Sequence, residues 1–295
     1  MDFRKSLSSG KFVITSEVGP PAIPPKGVDI SQMLEFLEPL KERVHAYNIT
    51  DLKSSVMRMS ALAVAHILKE EGFDPILHFT CRDRNRLALQ ADLLGAWALG
   101  IENILVITGD DVTFGDHPEA KPVFDLDSLK LLDTVKRLNE GFDLAGNELQ
   151  GRPDFFVGAG LNIMIESEGA LKSEIAKMER KVMAGAKFFQ TSPVYDIGSF
   201  EKFIREVEHI RVPIIAGIML LKSASMARFM NKNIDNVFIP EDLIAEMEKA
   251  KSRVEVSMAI AARLIKELKN LCQGVYLMPI GWEKNIPAVL DAAEL

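Results

Sequence analysis

The sequence predicts an α/β protein that folds as a single (β/α)8 TIM barrel. Short apolar runs alternate with longer segments of helical periodicity along almost the whole chain, as in a parallel sheet covered by helices. Eight such runs occur, each followed by a helical segment, and the length of 295 residues suits this barrel. No linker or internal repeat divides the chain, so we expect one domain that spans residues 1–295.

The predicted strands are rich in Val, Ile and Phe and are bounded by Gly, Pro, Asp and Asn, as buried parallel strands are. They cover residues 12–17, 45–50, 75–80, 103–109, 154–160, 187–192, 212–218 and 274–279.

The segments between the strands carry the helical period. In residues 57–71, for example, Ala61, Val64, Ala65 and Leu68 form one apolar stripe. Further helices are predicted over residues 86–99, 127–139, 167–183, 199–209 and 252–271. Gly100 and Gly185 directly follow two of these segments, where a left-handed helix cap is expected.

A doubly wound open sheet is the alternative fold. Its usual dinucleotide-binding fingerprint carries three spaced glycines, and the nearest match is GAGLNI at residues 158–163. That match has Ile163 where the third glycine belongs, so the barrel is favoured.

Composition excludes several classes of protein. The formal net charge is −7 without a concentrated run of Lys or Arg, which argues against nucleic acid as a main partner. No apolar run reaches the ~18 residues that a membrane span needs. The N-terminus lacks the apolar core of a secretion signal, so we expect a cytoplasmic protein without membrane contact.

The chain has two cysteines, Cys81 and Cys272, which argues against a secreted disulfide framework. An iron–sulfur cluster normally takes four cysteine ligands, so this chain cannot hold one by itself. If the chemistry is redox, the electrons must reside on an organic cofactor or arrive from another chain.

Polar residues gather where the predicted strands end, which is the face that carries the active site in such barrels. A long irregular segment, residues 109–127, follows the fourth strand, and a loop of that length is usually functional. The strand-end residues are Glu17, Asn48, Thr50, Asp51, His78, Thr80, Thr108, Gly109, Asp110, Asp111, Ala159, Gly160, Asn162, Gln190, Thr191, Ser192 and Lys222.

Each of these residues also has an ordinary structural explanation. Glu17 could cap a segment or pair with a lysine, His78 could be a core histidine, and Lys181 could be a solvated surface lysine. Their coincidence at strand ends favours a site. Neither a nucleophile elbow nor a phosphate-binding loop motif occurs, and the five histidines lack metal-ligand spacing, so we expect no metal. One general acid, Glu17, among hydrogen-bonding groups suits a flat heteroaromatic ligand.

Five motifs together resemble the methylenetetrahydrofolate reductase family, in its order and spacing and over nearly the whole chain. They are SEVGPP (residues 16–21), HFTCRD (78–83), ITGDD (107–111), KMERKVMAGAKFFQTSPVYD (177–196) and GIMLLKS (217–223). The resemblance implies a barrel that binds FAD noncovalently and binds folate. The implied reaction reduces 5,10-methylenetetrahydrofolate to 5-methyltetrahydrofolate by hydride transfer from the reduced flavin.

The resemblance also assigns roles to residues. Glu17 matches the general acid, which protonates a folate amine as the methylene bridge opens, and Asp110 matches the aspartate that binds the pterin near the flavin. Substrate contacts are implied for Glu17, Asp110, Gln190, Ser192 and Lys222. The implied flavin-contacting residues are Thr50, His78, Thr108, Gly109, Asp110, Phe124, Asp125, Ala159, Gly160 and Lys181, the last of which meets the diphosphate.

Three positions depart from the family pattern. Thr108 stands where bacterial members carry arginine, Ser192 where a glutamine contacts the pterin, and Ala224 where a phenylalanine stacks on ligand. Gln190 is a possible substitute for that glutamine.

The electron donor is either NAD(P)H or an iron–sulfur partner subunit, and an oligomer is expected. Two other functions stay open. One is a flavin-free pterin methyltransferase that passes the methyl group to a corrinoid protein, and the other is a donor-dependent flavin subunit of a larger electron-transfer complex.

Overall fold

A computed structural model, which describes residues 2–21, 30–163, 167–234 and 237–295, confirms the barrel prediction. Its eight strands are β1 (Val13–Val18), β2 (Ala46–Ile49), β3 (Pro75–Thr80), β4 (Asn103–Ile107), β5 (Phe156–Leu161), β6 (Phe188–Pro193), β7 (Ile214–Met219) and β8 (Gly274–Met278). All of them pair in parallel with their neighbours in sequence order, and β1 pairs with β8 to close the barrel. The doubly wound alternative is therefore wrong.

The described part of the chain carries eleven α-helices, most of which pack outside the sheet. Their bounds are α1 (Phe3–Ser8), α2 (Ser31–Leu37), α3 (Ala61–Glu70), α4 (Arg86–Ala98), α5 (Ser128–Glu140), α6 (Glu168–Met183), α7 (Ile197–Glu206), α8 (Ala224–Asn233), α9 (Glu241–Glu248), α10 (Arg253–Leu268) and α11 (Ile286–Ala292).

Six of these helices, α3 to α7 and α10, confirm the predicted segments. Gly100 and Gly185 have φ values of +75° and +111°, as the expected left-handed caps require. The sequence did not predict α1, α2, α8, α9 or α11. Three of them, α1, α2 and α11, have six or seven residues, which is too short for a helical period to be evident.

Aromatic side chains fill the end of the barrel interior where the strands begin. The Phe3 ring, on α1, lies edge-on to Phe188 with ring centroids 5.2 Å apart, and Phe188 stacks on Phe156 at 5.3 Å. Gly158 makes room for this packing, since a Cβ there would lie 2.3 Å from the Phe188 ring. We call Phe3, Phe156 and Phe188 the floor. It closes one end of the barrel, so ligands must enter from the other.

At the opposite end, the long segment 109–127 lies over the strand ends. It contains a short 3-10 turn at Val112–Phe114, and Gly115 then approaches the loop that follows β2 so closely that a Cβ would clash with the Ser55 carbonyl. Within the residues that the structure describes, we find no helix long and apolar enough for a membrane crossing.

Candidate active site

The strand ends open onto a cavity of about 540 Å³, a volume within the range of ligand sites. The barrel brings together, around this one cavity, ten of the fourteen residues predicted for the site. They are Glu17, Thr50, His78, Thr108, Gly109, Asp110, Gly160, Lys181, Gln190 and Ser192.

Glu17 lies at the end of β1 with both carboxylate oxygens occupied. Lys53 Nζ donates to Oε1 over 2.5 Å, and the Tyr276 hydroxyl donates to Oε2 over 2.8 Å. Burial, together with the Glu17 charge, raises the pKa of Tyr276 well above its ordinary value, so this phenol stays a donor. The carboxyl group is thus held in one orientation, inside a wall that excludes most of the solvent.

His78, on β3, is a neutral hydrogen-bonding group. Complete burial, aided by the positive charge of Lys53, lowers the pKa of His78 to about 3. Its Nε2 lies 3.0 Å from Asn48 Oδ1, and because that oxygen can only accept, Nε2 carries the hydrogen. His78 therefore helps to fix the polar residues at the carboxyl ends of the strands, which we call the rim. It carries no charge near neutral pH.

The loop that follows β2 has an unusual backbone. Leu52, Ser54 and Ser55 all adopt left-handed φ values, of 46°, 56° and 57°, although none of them is glycine. The guanidinium of Arg82, a buried side chain, donates to the Leu52 carbonyl over 3.2 Å and to Ser55 Oγ over 3.1 Å. This arrangement directs Lys53 toward Glu17.

The same loop binds the side chain of Asp110, the second predicted catalytic residue, which follows β4. The Ser54 N–H donates to Asp110 Oδ2 over 3.1 Å. Gly109, just before it, has a φ of +96°, and a Cβ there would lie 3.1 Å from Thr80 Cβ and 3.2 Å from Arg82 Cβ. Only glycine fits this position without a shift of its neighbours, so the backbone can come close to a flat ligand.

Two charged residues of α6 form the far wall of the cavity. Lys181 Nζ donates to the Gly160 carbonyl over 2.6 Å, and burial lowers the pKa of Lys181. Glu174 is also buried and accepts from Lys177 Nζ over 3.2 Å. This wall can hold a charged or hydroxyl-rich part of a ligand.

Several buried polar atoms of the cavity have no hydrogen-bond partner within the described part of the chain. Gln190, whose exposed fraction is 3%, leaves both its Nε2 and its Oε1 unpaired. Thr50 Oγ1 and Ser192 Oγ are unpaired as well, and so is Nδ2 of Asn48, which is the partner of His78 and lies outside the cavity lining. Because such atoms are costly in a native interior, they indicate a polar ligand that offers both donors and acceptors.

Four predicted residues lie outside the cavity lining. Ala159 is buried in the core between the sheet and the helices, and Lys222 Nζ lies 5.4 Å over the Trp282 ring. Phe124 is exposed, and Asp125 makes a two-point contact with Arg86 that lowers the pKa of Asp125 to about 2. Ligand contacts for these four stay predictions.

Among the cavity residues that were not predicted are three with charged side chains, Lys53, Arg82 and Glu174, and the phenol of Tyr276. The sequence offered a signal for Tyr276, a polar side chain inside an apolar strand, and for Arg82, which belongs to the quoted motif HFTCRD. It offered none for Lys53 or for Glu174, which reads as a surface position of a charged helix. Among the described residues, no group of three or more His, Cys, Asp or Glu side chains is placed to hold a metal ion.

Comparison with known proteins identifies the family of the chain. The family model described as methylenetetrahydrofolate reductase matches residues 2–294. A probable methylenetetrahydrofolate reductase (NADPH) of Caenorhabditis elegans is 27% identical over 195 residues, which cover 65% of this chain and 27% of that protein. A probable methylenetetrahydrofolate reductase (NADH) of Oryza sativa subsp. japonica is 25% identical over 226 residues, 74% of this chain and 37% of that protein. The chain thus spans only about a quarter to just over a third of these curated relatives.

The fold also occurs in a solved structure, an uncharacterized protein from Clostridium thermocellum that binds two copies of 5-methyl-5,6,7,8-tetrahydrofolic acid. The TM-score is 0.62 at 17% sequence identity, and the match covers 98% of this chain and 96% of that one. At this identity the likeness shows the shared fold.

Proposed function

The chain belongs to the methylenetetrahydrofolate reductase family, and on that premise we propose that it reduces 5,10-methylenetetrahydrofolate to 5-methyltetrahydrofolate. The observation that carries the proposal is the meeting, in one cavity, of a fixed buried carboxyl group and a buried amide with both polar atoms unpaired. Glu17 provides the first and Gln190 the second.

The unpaired atoms suit a pterin. The pyrimidine edge of a pterin carries adjacent donors and acceptors, which is what the two free atoms of Gln190 can satisfy. Asp110, fixed by the Ser54 N–H, adds a carboxylate acceptor to the same cavity. Ser192 Oγ lies near Gln190 on β6 and is also unpaired. The folate ligand of the Clostridium thermocellum protein, which shares this fold, supports the same substrate class.

The cofactor in this proposal is FAD, which supplies the hydride when it is bound. The donor set fits such a group: Thr50 Oγ1 is buried and unpaired, the backbone at Gly109 is open to a flat ring, and Lys181 offers a cation for the diphosphate. Further contacts would come from His78, Thr108, Gly160 and, outside the cavity lining, Phe124, Asp125 and Ala159. We propose that the single barrel holds both FAD and folate.

Glu17 acts as the general acid of the reaction. It donates a proton to a folate amine nitrogen, so that the carbon–nitrogen bond of the methylene bridge breaks with its electron pair on that nitrogen. Tyr276 keeps the carboxyl oriented, and the neutral His78 adds no competing charge. The low exposure of Glu17 keeps water away from the opened bridge.

The names of the relatives carry NADH or NADPH, which supports a nicotinamide as the electron donor. An iron–sulfur partner subunit is the other donor we consider. The cluster would have to lie on that subunit, because a cluster normally takes four cysteine ligands and this chain has two, Cys81 and Cys272, both buried and free. Association of this chain into an oligomer, with itself or with such a partner, belongs to the same proposal.

The test is a visible spectrum of the purified protein, followed by anaerobic addition of 5-methyltetrahydrofolate. We expect flavin bands that bleach as the folate is oxidised. Flavin bands that bleach with folate but do not bleach with NADH or NADPH would support the partner-dependent electron donor. A protein that stays colourless after FAD is supplied would overturn the proposal in favour of the flavin-free methyltransferase.

A further inference from the structure

We propose that Lys53 is the proton-supplying partner of Glu17, so that the acid–base unit of the site is the Lys53–Glu17 pair. The inference rests on the proposed folate reduction and extends it to a residue that acts through Glu17. In this pair the transferable proton is stored on Lys53 Nζ and passes to Glu17 Oε1 across the contact of 2.5 Å.

Glu17 and Lys53 differ in how much of each side chain the solvent reaches, and this difference suits them to different steps. The side chain of Glu17 is 9% exposed and that of Lys53 is 34% exposed. A buried acid that gives up a proton in each turnover needs a route by which it is protonated again. Lys53 touches both Glu17 and the solvent, so it can take a proton from water and pass it inward.

The backbone that carries Lys53 supports a functional role. Leu52, Ser54 and Ser55 each adopt a left-handed conformation, which is costly for a residue other than glycine and persists only when its surroundings enforce it. Arg82 enforces it here through the Leu52 carbonyl and Ser55 Oγ. Strained backbone of this kind clusters at functional sites, and here it places Lys53 against Glu17.

None of the other titratable groups that line the cavity forms an ion pair with Glu17 in the described part of the chain. His78 is neutral and bonded to Asn48, and Tyr276 is a neutral donor to Glu17. The remaining contacts are those of Asp110 with the Ser54 N–H, Arg82 with Asp83, Asp51 with Arg84, Glu174 with Lys177, and Lys181 with the Gly160 carbonyl. Among the described residues, Lys53 forms the ion pair with Glu17.

The proton transfer balances in three steps. First, a Lys53 N–H bond breaks with its electrons on nitrogen, and the proton forms the neutral Glu17 carboxyl group. Then Glu17 gives a proton to the folate amine as the carbon–nitrogen bond opens. Last, the neutral Lys53 amine takes a proton from a hydronium ion or a buffer acid of the solvent, so that each turnover consumes one solvent proton. Bound substrate excludes water, and a low dielectric favours the neutral pair over the ion pair, so the first step is coupled to binding.

The decisive variants are Lys53→Met and Lys53→Arg. Methionine removes the cation, whereas arginine keeps the positive charge but cannot be deprotonated in a protein. We expect both variants to retain FAD and to bind 5-methyltetrahydrofolate within about threefold of the wild type. In the reduction of 5,10-methylenetetrahydrofolate over many turnovers, with a chemically reduced viologen as the electron donor, both lose about 100-fold or more in rate, the lower end of general acid–base contributions, because neither side chain can return a proton to Glu17 after each turnover.

Lys266→Met is the matched control, because Lys266 makes the same 2.5 Å contact with a glutamate, Glu294, on the exposed surface. It should react like the wild type. Wild-type rates in Lys53→Arg would overturn the proton supply and leave Lys53 with charge alone. Wild-type rates in both Lys53 variants would overturn any role.

Infrared spectroscopy of the folate-free protein tests the pair independently of the proposed reaction. The Glu17 carboxylate band is assigned by its loss in Glu17→Gln. We expect Lys53→Met to convert it at neutral pH into the band of a protonated carboxyl, since a buried carboxylate without its cation takes up a proton. An unchanged band overturns the pair. If the band changes as expected but 5-methyltetrahydrofolate does not bleach the flavin, the proposed function is overturned and the Lys53–Glu17 pair is not.

Discussion

The two ends of the barrel interior differ in how well their atoms are satisfied. At the floor, the rings of Phe3, Phe156 and Phe188 pack against one another. The Phe3 N–H donates to the carboxylate of Asp74 over 2.8 Å. At the rim, Gln190 is as deeply buried yet leaves both amide atoms unpaired. The same strands supply both ends, so the difference comes from which residues stand at their beginnings and ends. The floor contributes stability, and the rim gives up stability to keep groups ready for a ligand.

The largest effect should come from the rim, in Glu17→Gln. We expect folate turnover to fall by about 10² to 10⁴, the range for general acid–base catalysis, with FAD retained. The free energy of unfolding should change by less than about 1 kcal/mol, since the Tyr276 hydroxyl can still donate to the amide oxygen and Lys53, whose side chain is 34% exposed, can turn to the solvent. Steady-state kinetics and urea unfolding measure the two quantities. Glu294→Gln, at an exposed ion pair, is the control. Near wild-type turnover in Glu17→Gln would remove Glu17 from the mechanism.

The floor should respond in the opposite way to Phe188→Ala. Loss of this buried ring is expected to lower the free energy of unfolding by about 3–5 kcal/mol, through lost contacts and a cavity. The folded fraction should still bind FAD and turn over folate at low temperature, because no Phe188 atom lines the cavity. Phe229→Ala, at an exposed ring, should change stability by less than about 0.5 kcal/mol. A Phe188→Ala protein that is stable but inactive would break the division between floor and rim.

The strands were more accessible to sequence reasoning than the side-chain contacts at either end of the barrel. Strands buried on both faces read as continuous apolar runs, so all eight were found, with ends displaced by at most two residues. Strand ends then located thirteen of the residues that line the cavity, and the family resemblance added Lys181. The short helix α1, and with it the role of Phe3, gave no periodic signal.

The rim residues that were missed depend on long-range geometry. Lys53 reaches Glu17 only because three non-glycine residues adopt left-handed backbone, which no sequence pattern announces. Glu174 sits on a charged helix and differs from its exposed neighbours only by where the helix docks. Contacts of this kind form only when the barrel has closed. The fold was therefore predictable from the sequence, and the side-chain contacts within the site were not.

Gln190→Leu should sharpen the comparison with a smaller effect. The substitution removes both unpaired amide atoms at nearly constant volume, so the free energy of unfolding should stay equal or rise by about 1–3 kcal/mol. The affinity for 5-methyltetrahydrofolate should fall by a similar free energy, about 5- to 150-fold. Urea unfolding and ligand titration measure both. A less stable variant with unchanged affinity would mean that Gln190 belongs to the packed interior rather than to the ligand site.

The smallest effect concerns pH. Burial lowers the pKa of His78 to about 3, while its unfolded value is near 6.5. Between these values the unfolded chain binds a proton that the folded protein does not, so stability is complete above about pH 6.5 and falls as the pH falls. Between pH 6 and pH 5 the loss should be about 1 kcal/mol. Urea unfolding of His78→Gln should lack this loss, and equal losses in both proteins would contradict it.

Asp74, which binds the Phe3 N–H at the floor, has the opposite effect on the pH dependence of stability. Burial raises the pKa of Asp74, so its contribution to stability grows as the pH falls toward the ordinary carboxyl range and is lost as the pH rises. Mild acid should therefore act against the rim through His78 while it favours the floor through Asp74. Hydrogen exchange at pH 5 and pH 7 can resolve the two, because amides of β3 near His78 and amides near Phe3 report on opposite ends. Acid-induced loss of protection that begins at the Phe3 end would reverse the assignment of stability to the floor.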